Sequence, residues 1–196
     1  MTLWREAPTL VGRHVTLRPL VPEDRDALAA AAADGDLTEL FFANVSALTD
    51  PDSFMAAAFK ERDHGRAMPF AVTLPSGQVV GLTRFMRMHE AHARVEIGGT
   101  FYARSVQRTG VNTEAKLLLL AHAFDVLGCN VVQIRTDWFN RASQRAIERL
   151  GAKRDGVLRS HQLMDGRARD LVVYSIIACE WPGVRANLEH LLTRHS

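Results

Sequence analysis

The stretch "QRTGVN", Gln107 to Asn112, sets a basic, glycine-containing turn directly ahead of the leucine-rich run "TEAKLLLL". A glycine at position 110 permits backbone conformations closed to other residues. Successive amide N–H groups in such a turn can then converge with the unpaired N–H groups that open a helix. That arrangement suits a phosphate, and the helix dipole adds about 0.3–1 kcal/mol per favourable charge at its start. Arg104 and Arg108 stand close enough to add charge-assisted bonds. The same residues also fit an ordinary loop into a helix capped by Asn112 or Thr113, so by itself the turn leaves both readings open. A second unusual spot is the pair Gly98 and Gly99 inside "ARVEIGGTFY". Glycines within a strand cost stability unless a bulge or a close backbone approach requires them.

Other residues invite chemistry less strongly. His89 and His92 lie on a loop with no third ligand nearby, so no metal is expected. Arg159 and His161 could meet an acidic substrate, although alternating charge on a strand is usually a solvated face. Trp138 and Phe139 could line a pocket or belong to a core or lid. Cys129 and Cys179 sit in apolar stretches where buried thiols are expected, with no CxxC spacing, which suits a reduced, cytoplasmic setting.

The elements that must position these groups follow from periodicity and punctuation. "HVTLRPL" reads as a strand, and Pro22 with Glu23 and Asp24 opens a helix that stops at Gly35. "FFANVSALT" is irregular; a second helix follows, capped by Thr49 or Asp50, with Phe54, Ala58 and Phe59 inward. "PFAVTL" and "QVVGLTRFMRM" form a hairpin around "PSG", and "ARVEIGGTFY" is the next strand. The helix after the turn places Leu117, Leu120, Ala121, Phe124 and Leu127 at helical spacing and ends at Gly128. "VVQIRTDW" is a buried strand, and "NRASQRAIERLG" a helix between an Asn140 cap and a Gly151 stop. A last hairpin turns at Asp165-Gly166, and the tail adds a short helix.

Nothing in the composition divides this chain: 196 residues with 47% hydrophobic and 23% charged content and no linker or repeat make residues 1–196 one α+β domain. A net charge of +2 provides no large positive field, which argues against nucleic acid as a partner. No apolar run approaches the roughly 20 residues that cross a bilayer, and the N-terminus has no leader pattern, so no membrane association is expected.

In this context "QRTGVN" resembles the Q/R-x-x-G-x-G/A motif of the GNAT N-acetyltransferases, and the order of elements around it is similar across nearly the whole chain. "LRPLVPED", "VNTEAKLLLLAHAF" and "N-x-x-S-x-x-x-I-x-x-L-G-A" are similar to the RimJ/RimL-like branch, which includes acetyltransferases of ribosomal-protein N-termini. The resemblance implies an α/β/α layered fold whose mixed, mostly antiparallel sheet splays at a bulged strand. It also implies acetyl-CoA as co-substrate and a primary amine as acceptor, a protein N-terminus or a small molecule. A homodimer is compatible with that branch, and no sequence feature establishes one.

By the same resemblance Gln107, Arg108, Thr109, Gly110, Val111, Asn112 and Thr113 would hold the pyrophosphate. Gly99, Thr100, Phe101 and Tyr102 would pair with the pantetheine arm, and Asn140 would reach the cofactor when not serving only as a cap. Glu96 matches the family's carboxylate base; otherwise it is an exposed glutamate or pairs with Arg84 or Arg94. Asp137 is a second candidate, and Ser143 matches a serine proposed to protonate the thiolate. Two departures stand out: Asn112 replaces a glycine or alanine, and Ile147 occupies the place of a frequent tyrosine acid. With that acid missing, a non-catalytic acyl-CoA-binding module is the alternative. An α-amine, with a pKa of about 7.7–8.0 against about 10.4 for lysine, would need little help to react.

Overall fold

The structure, a computed structural model, describes residues 3–35, 37–43 and 49–193. Eight strands form one sheet in the order β1-β2-β3-β4-β5-β6-β8-β7. They are β1 Leu10–Val11, β2 Thr16–Pro19, β3 Met68–Thr73, β4 Val79–His89, β5 Arg94–Tyr102, β6 Val131–Asp137, β7 Lys153–Met164 and β8 Arg167–Ile177. All neighbours are antiparallel except β5 and β6. The helices are α1 Arg25–Ala33, α2 Pro51–Asp63, α3 Val111–Ala121, α4 Arg141–Arg149 and α5 Trp181–Thr193.

Period-two alternation sorts the strand residues onto two faces. Phe70 and Val72 of β3 join a core with Phe85, Ile97, Ile134, α3, α4 and α5, whereas Ala71 between them packs with Leu28 and Met55 of α1 and α2. The layering is therefore helices, sheet, helices, as the resemblance implied. No helix among the described residues is long and apolar enough to cross a membrane.

Several details differ from the sequence reading. On α2 the buried positions are Met55 and Ala58, with Phe54 and Phe59 only flanking them, and Asp50 supplies the cap by accepting from Ser53 N. The helix after the turn passes from α to π geometry at His122–Val126. Leu119, Leu120, Ala123 and Leu127 are buried while Leu117, Ala121 and Phe124 lie half out; the wider turn rotates only the residues from His122 onward. Cys129 is buried as expected, but Cys179 is exposed because it falls in the short turn before α5. Of the irregular stretch Phe41–Thr49, residues 44–48 lie outside the described residues.

Candidate active site

Strands β5 and β6 run parallel, and their ladder is short: Arg94 to Ile97 pair with Val131 to Ile134, and pairing ends there. Beyond Ile97 strand β5 pairs only with β4, and beyond Ile134 strand β6 pairs only with β8, so the sheet splits toward their C-terminal ends. Each strand leads into a helix from this opening, β5 into α3 and β6 into α4. Arg149 of α4 donates to Thr113 Oγ1 of α3 at 3.1 Å and joins the two. A crevice between parallel strand ends, faced by two helix N-termini, is where open sheets bind phosphorylated ligands.

The split coincides with a bulge. Register shifts between Leu82 and Arg84, leaving Thr83 opposite both Gly99 and Thr100, and Gly99 takes φ +57°. A Cβ on Gly99 would stand 2.5 Å from Arg84 Nε, and one on Gly98 2.6 Å from Met86 Sδ. The adjacent glycines thus serve backbone geometry and also make room for two β4 side chains. On the opposite face Thr83 and Thr100 hydroxyls share a bond of 2.8 Å. Lys116 of α3, almost wholly buried, donates to Thr100 Oγ1 at 3.0 Å. Burial lowers the pKa of that ammonium to about 7 and raises that of the Tyr102 phenol, whose buried hydroxyl has no partner among the described residues.

The turn after β5 is built differently from expectation. Gly110 has φ −66°, an ordinary right-handed value, and the left-handed residue is Arg108 at φ +61°. Gly110 is required for space instead, since a Cβ there would approach the His14 ring to 3.0 Å. It occupies the N-cap position, so Asn112 and Thr113 lie inside the first turn and neither caps; Thr109 Oγ1 accepts from Val111 N at 3.3 Å. Gln107, Arg108 and Thr109 are exposed, and the amides of Arg108, Thr109 and Gly110 make no backbone bond within the described residues. Three neighbours fix this loop. Asp34 accepts from Ser105 N and Oγ, Gln107 Nε2 donates to Tyr102 O, and buried Glu114 accepts from the amides of Arg13, His14 and Val15 at 2.6–2.9 Å.

Glu96 faces the α1–α2 side with Arg84, Met86, Gln133 and Arg135, as its register with β4 and β6 requires. It is buried rather than exposed, and the expected ion pair with neighbouring arginines forms, with partners other than Arg84 and Arg94. Arg87 Nη1 lies 2.7 Å from Oε1 and Arg135 Nε 3.0 Å from Oε2. A bulge in β4, with Arg87 at φ +47°, is what turns that arginine toward it. Asp137, equally buried, pairs with Arg169 and Arg167 at 2.9 and 3.4 Å and accepts from Phe139 N at 2.8 Å, which sets the turn into α4. Asn140 Oδ1 caps α4 by accepting from Ser143 N at 2.9 Å, and Ser143 is half-buried. Ile147 is a core residue.

At the open end, Trp138 lies under the guanidiniums of Arg141 and Arg154, at 4.7 and 5.2 Å, while exposed Phe139 meets Phe41 at 5.6 Å. Arg159 and His161 are exposed, as a solvated face would have them. His89 and His92 stack on one another at 4.2 Å on the surface, and no group of three metal-ligating side chains occurs among the described residues. Arg84, Arg87 and Arg135 were missed as a set because only a bulge in β4 turns Arg87 to the wall on which register places Arg84 and Arg135; the signal available was the double glycine opposite Arg84.

Residues 14–153 match the acetyltransferase (GNAT) domain model. YdaF of Bacillus subtilis strain 168, whose name proposes a ribosomal N-acetyltransferase, is 28% identical over 88% of this chain and 96% of its own. A crystal structure of a GCN5-related N-acetyltransferase from Brucella melitensis superposes with TM-score 0.84 at 30% identity, covering 95% of this chain and 86% of that one. RimJ of Mycobacterium smegmatis, solved with CoA-disulfide, shares the fold at TM-score 0.74 and 24% identity, covering 96% and 95%. The chain belongs to the GNAT acetyltransferase family and is an acyl-CoA-dependent acetyltransferase.

Proposed function

We propose that this acetyltransferase acts on a primary amine, a protein N-terminus or a small molecule, by direct attack in a ternary complex, with residues 1–196 working as one catalytic domain. The observation that carries the reading is the split beyond Ile97 and Ile134, which leaves one edge of β5 unpaired at its bulge and aims that edge at the start of α3. Acetyl-CoA supplies the thioester carbonyl and the thiolate leaving group.

The residues fit such a co-substrate. The free edge from Gly99 to Tyr102 can pair with an amide-bearing arm as another strand would. The amides of Arg108, Thr109 and Gly110, which make no backbone bond within the described residues, lie at the positive end of an 11-residue helix and suit a pyrophosphate. Asn140 spends its Oδ1 on the cap and keeps its amide nitrogen for a ligand. Backbone N–H groups at the bulge would stabilise the oxyanion formed on amine attack.

Proton handling falls to modest groups. Both oxygens of Glu96 are engaged by guanidiniums, so taking a proton would mean giving up an ion pair. We therefore assign Glu96 to positioning Arg87 and Arg135 rather than to the base, and an α-amine loses its proton to solvent. Ser143, at the start of α4, is the hydroxyl that would donate to the thiolate, and water replaces it where it is removed.

The test is thiol release from acetyl-CoA with a panel headed by peptides bearing free N-termini. Release above background with at least one amine is the expected result. A CoA-dependent melting shift with no release from any amine would overturn the catalytic reading.

A further inference from the structure

We propose that the acceptor carries an anionic group, a carboxylate, and that Arg84 receives it; the inference rests on the acetyl-transfer reading of the same cleft. Arg84 lies opposite Gly98, and its side chain crosses the bulge, with Nε, Cζ and Nη2 within 2.5–2.9 Å of where a Gly99 side chain would begin. The guanidinium therefore stands where the β5–β6 ladder opens.

Its neighbours are all engaged. Arg87 and Arg135 hold Glu96, Arg66 holds Glu61 at 2.6 Å, and Arg167 and Arg169 hold Asp137. Arg84 alone of this wall has no hydrogen-bond or ion-pair partner among the described residues, and its Nε is fully shielded from solvent. Burial opposes its charge, with Glu61 and Glu96 near enough to act only at a distance. Beside it a pocket of about 220 Å³ is lined by Glu61, Arg66, Ala67, Arg84, Met86 and Arg87.

A guanidinium whose Nε is shielded from water and has no acceptor is costly, and a carboxylate is its bidentate complement. Glu61 and Glu96 together answer only two of the charges of Arg66, Arg84, Arg87 and Arg135, so the wall keeps a positive surplus, and Arg84 is the member left without a partner. A carboxylate on the acceptor supplies the partner that Arg84 lacks. Since Arg84 crosses the bulge itself, amine and carboxylate belong to one small group: a free amino acid, or a peptide whose first residue is acidic.

The experiment compares kcat/KM for two matched pairs, a free amino acid against its amide and a peptide beginning with glutamate against one beginning with glutamine. The acidic member of one pair is expected to lead at least about tenfold, mainly through KM, and the pair that shows it separates the two sources. In R84M that ratio falls to within about twofold of unity, and R84K keeps part of it. The melting temperature of R84M does not fall, because no buried partner is left behind. Equal kcat/KM within both pairs overturns the proposal, as does an R84M that slows acidic and neutral acceptors alike. If no amine is acetylated, the transfer reading fails instead. Titrating the CoA-loaded protein with the same pairs then decides: tighter binding of the acidic member, lost in R84M, supports the anchor, and equal binding refutes it.

Discussion

Replacing Lys116 by methionine tests how the bulge is held from beneath. Lys116 is 6% exposed, its one hydrogen bond among the described residues goes to the neutral Thr100 hydroxyl, and burial is what acts on its charge. Burial lowers its pKa from 10.5 to about 7. At about 1.4 kcal/mol per pH unit, that gap corresponds to roughly 5 kcal/mol as an upper figure. The sign follows from proton counts: between pH 7 and 10.5 the unfolded chain holds this proton and the native protein does not, so stability rises with pH in that window and falls as pH drops toward 7. Cys129, pushed up to about 12 by burial, has the opposite slope above pH 9, so the clean range is pH 7 to 8.5. Urea unfolding should show the wild type gaining about 1.5–2 kcal/mol across that range. Lys116→Met should be flat there and more stable at pH 7 by a few kcal/mol. A wild type without that slope, or a Lys116→Met variant that keeps it, would refute the reasoning.

Gly110→Val should disturb packing rather than backbone, since φ is already helical: the new side chain meets His14 at about 3 Å, costs about 1–3 kcal/mol and weakens CoA binding. Unchanged CoA affinity by calorimetry would remove the turn from the cofactor site, and His14→Ala should recover part of the loss. Glu96→Gln leaves Arg87 and Arg135 without their anion and should lower stability by up to about 3 kcal/mol while the pH–rate profile keeps its shape; loss of turnover confined to low pH would return the base to Glu96. Glu114→Gln removes the charge that gathers three amides of the β1–β2 turn and should cost about 1.5–3 kcal/mol. Thermal unfolding indistinguishable from wild type would show that Glu114 does not staple α3 to that turn.

Periodicity, apolar runs and turn residues were enough to place every strand from β2 to β8 and the helices between them, with Gly35, Gly128, Gly151 and Asp165-Gly166 marking several of the ends. The turn before α3 was legible too, but for a partly mistaken reason. Gly110 looked like a residue chosen for its freedom, whereas it is chosen for lacking a side chain beside His14, and the left-handed position belongs to Arg108. A distance between residues nearly a hundred positions apart is not written in local pattern. The same holds for Glu96: its strand and face could be read, but its two arginines come from other strands, and one is turned by a bulge that no residue type announces.

These long-range contacts converge on one short stretch of β5. From the α3 side Lys116 and Thr83 hold Thr100; from the α1–α2 side Arg84 lies across Gly99 and Met86 fills the space over Gly98. Further back, Glu96 ties the last paired residues of β5 to β6 through Arg135, so the ladder is fastened up to the point where it must open. A strand edge left unpaired cannot be fixed by a neighbouring strand, and here side chains on both faces hold it. Gly98 and Gly99 are what make it feasible. Gly98→Ala should force Met86 aside, while Gly99→Ala would strain a left-handed backbone and strike Arg84. If the bulge is held as described, Gly99→Ala should lower acetyl transfer more than Gly98→Ala, whose obstacle is the flexible end of a methionine. Equal losses would mean that the glycines matter only as backbone.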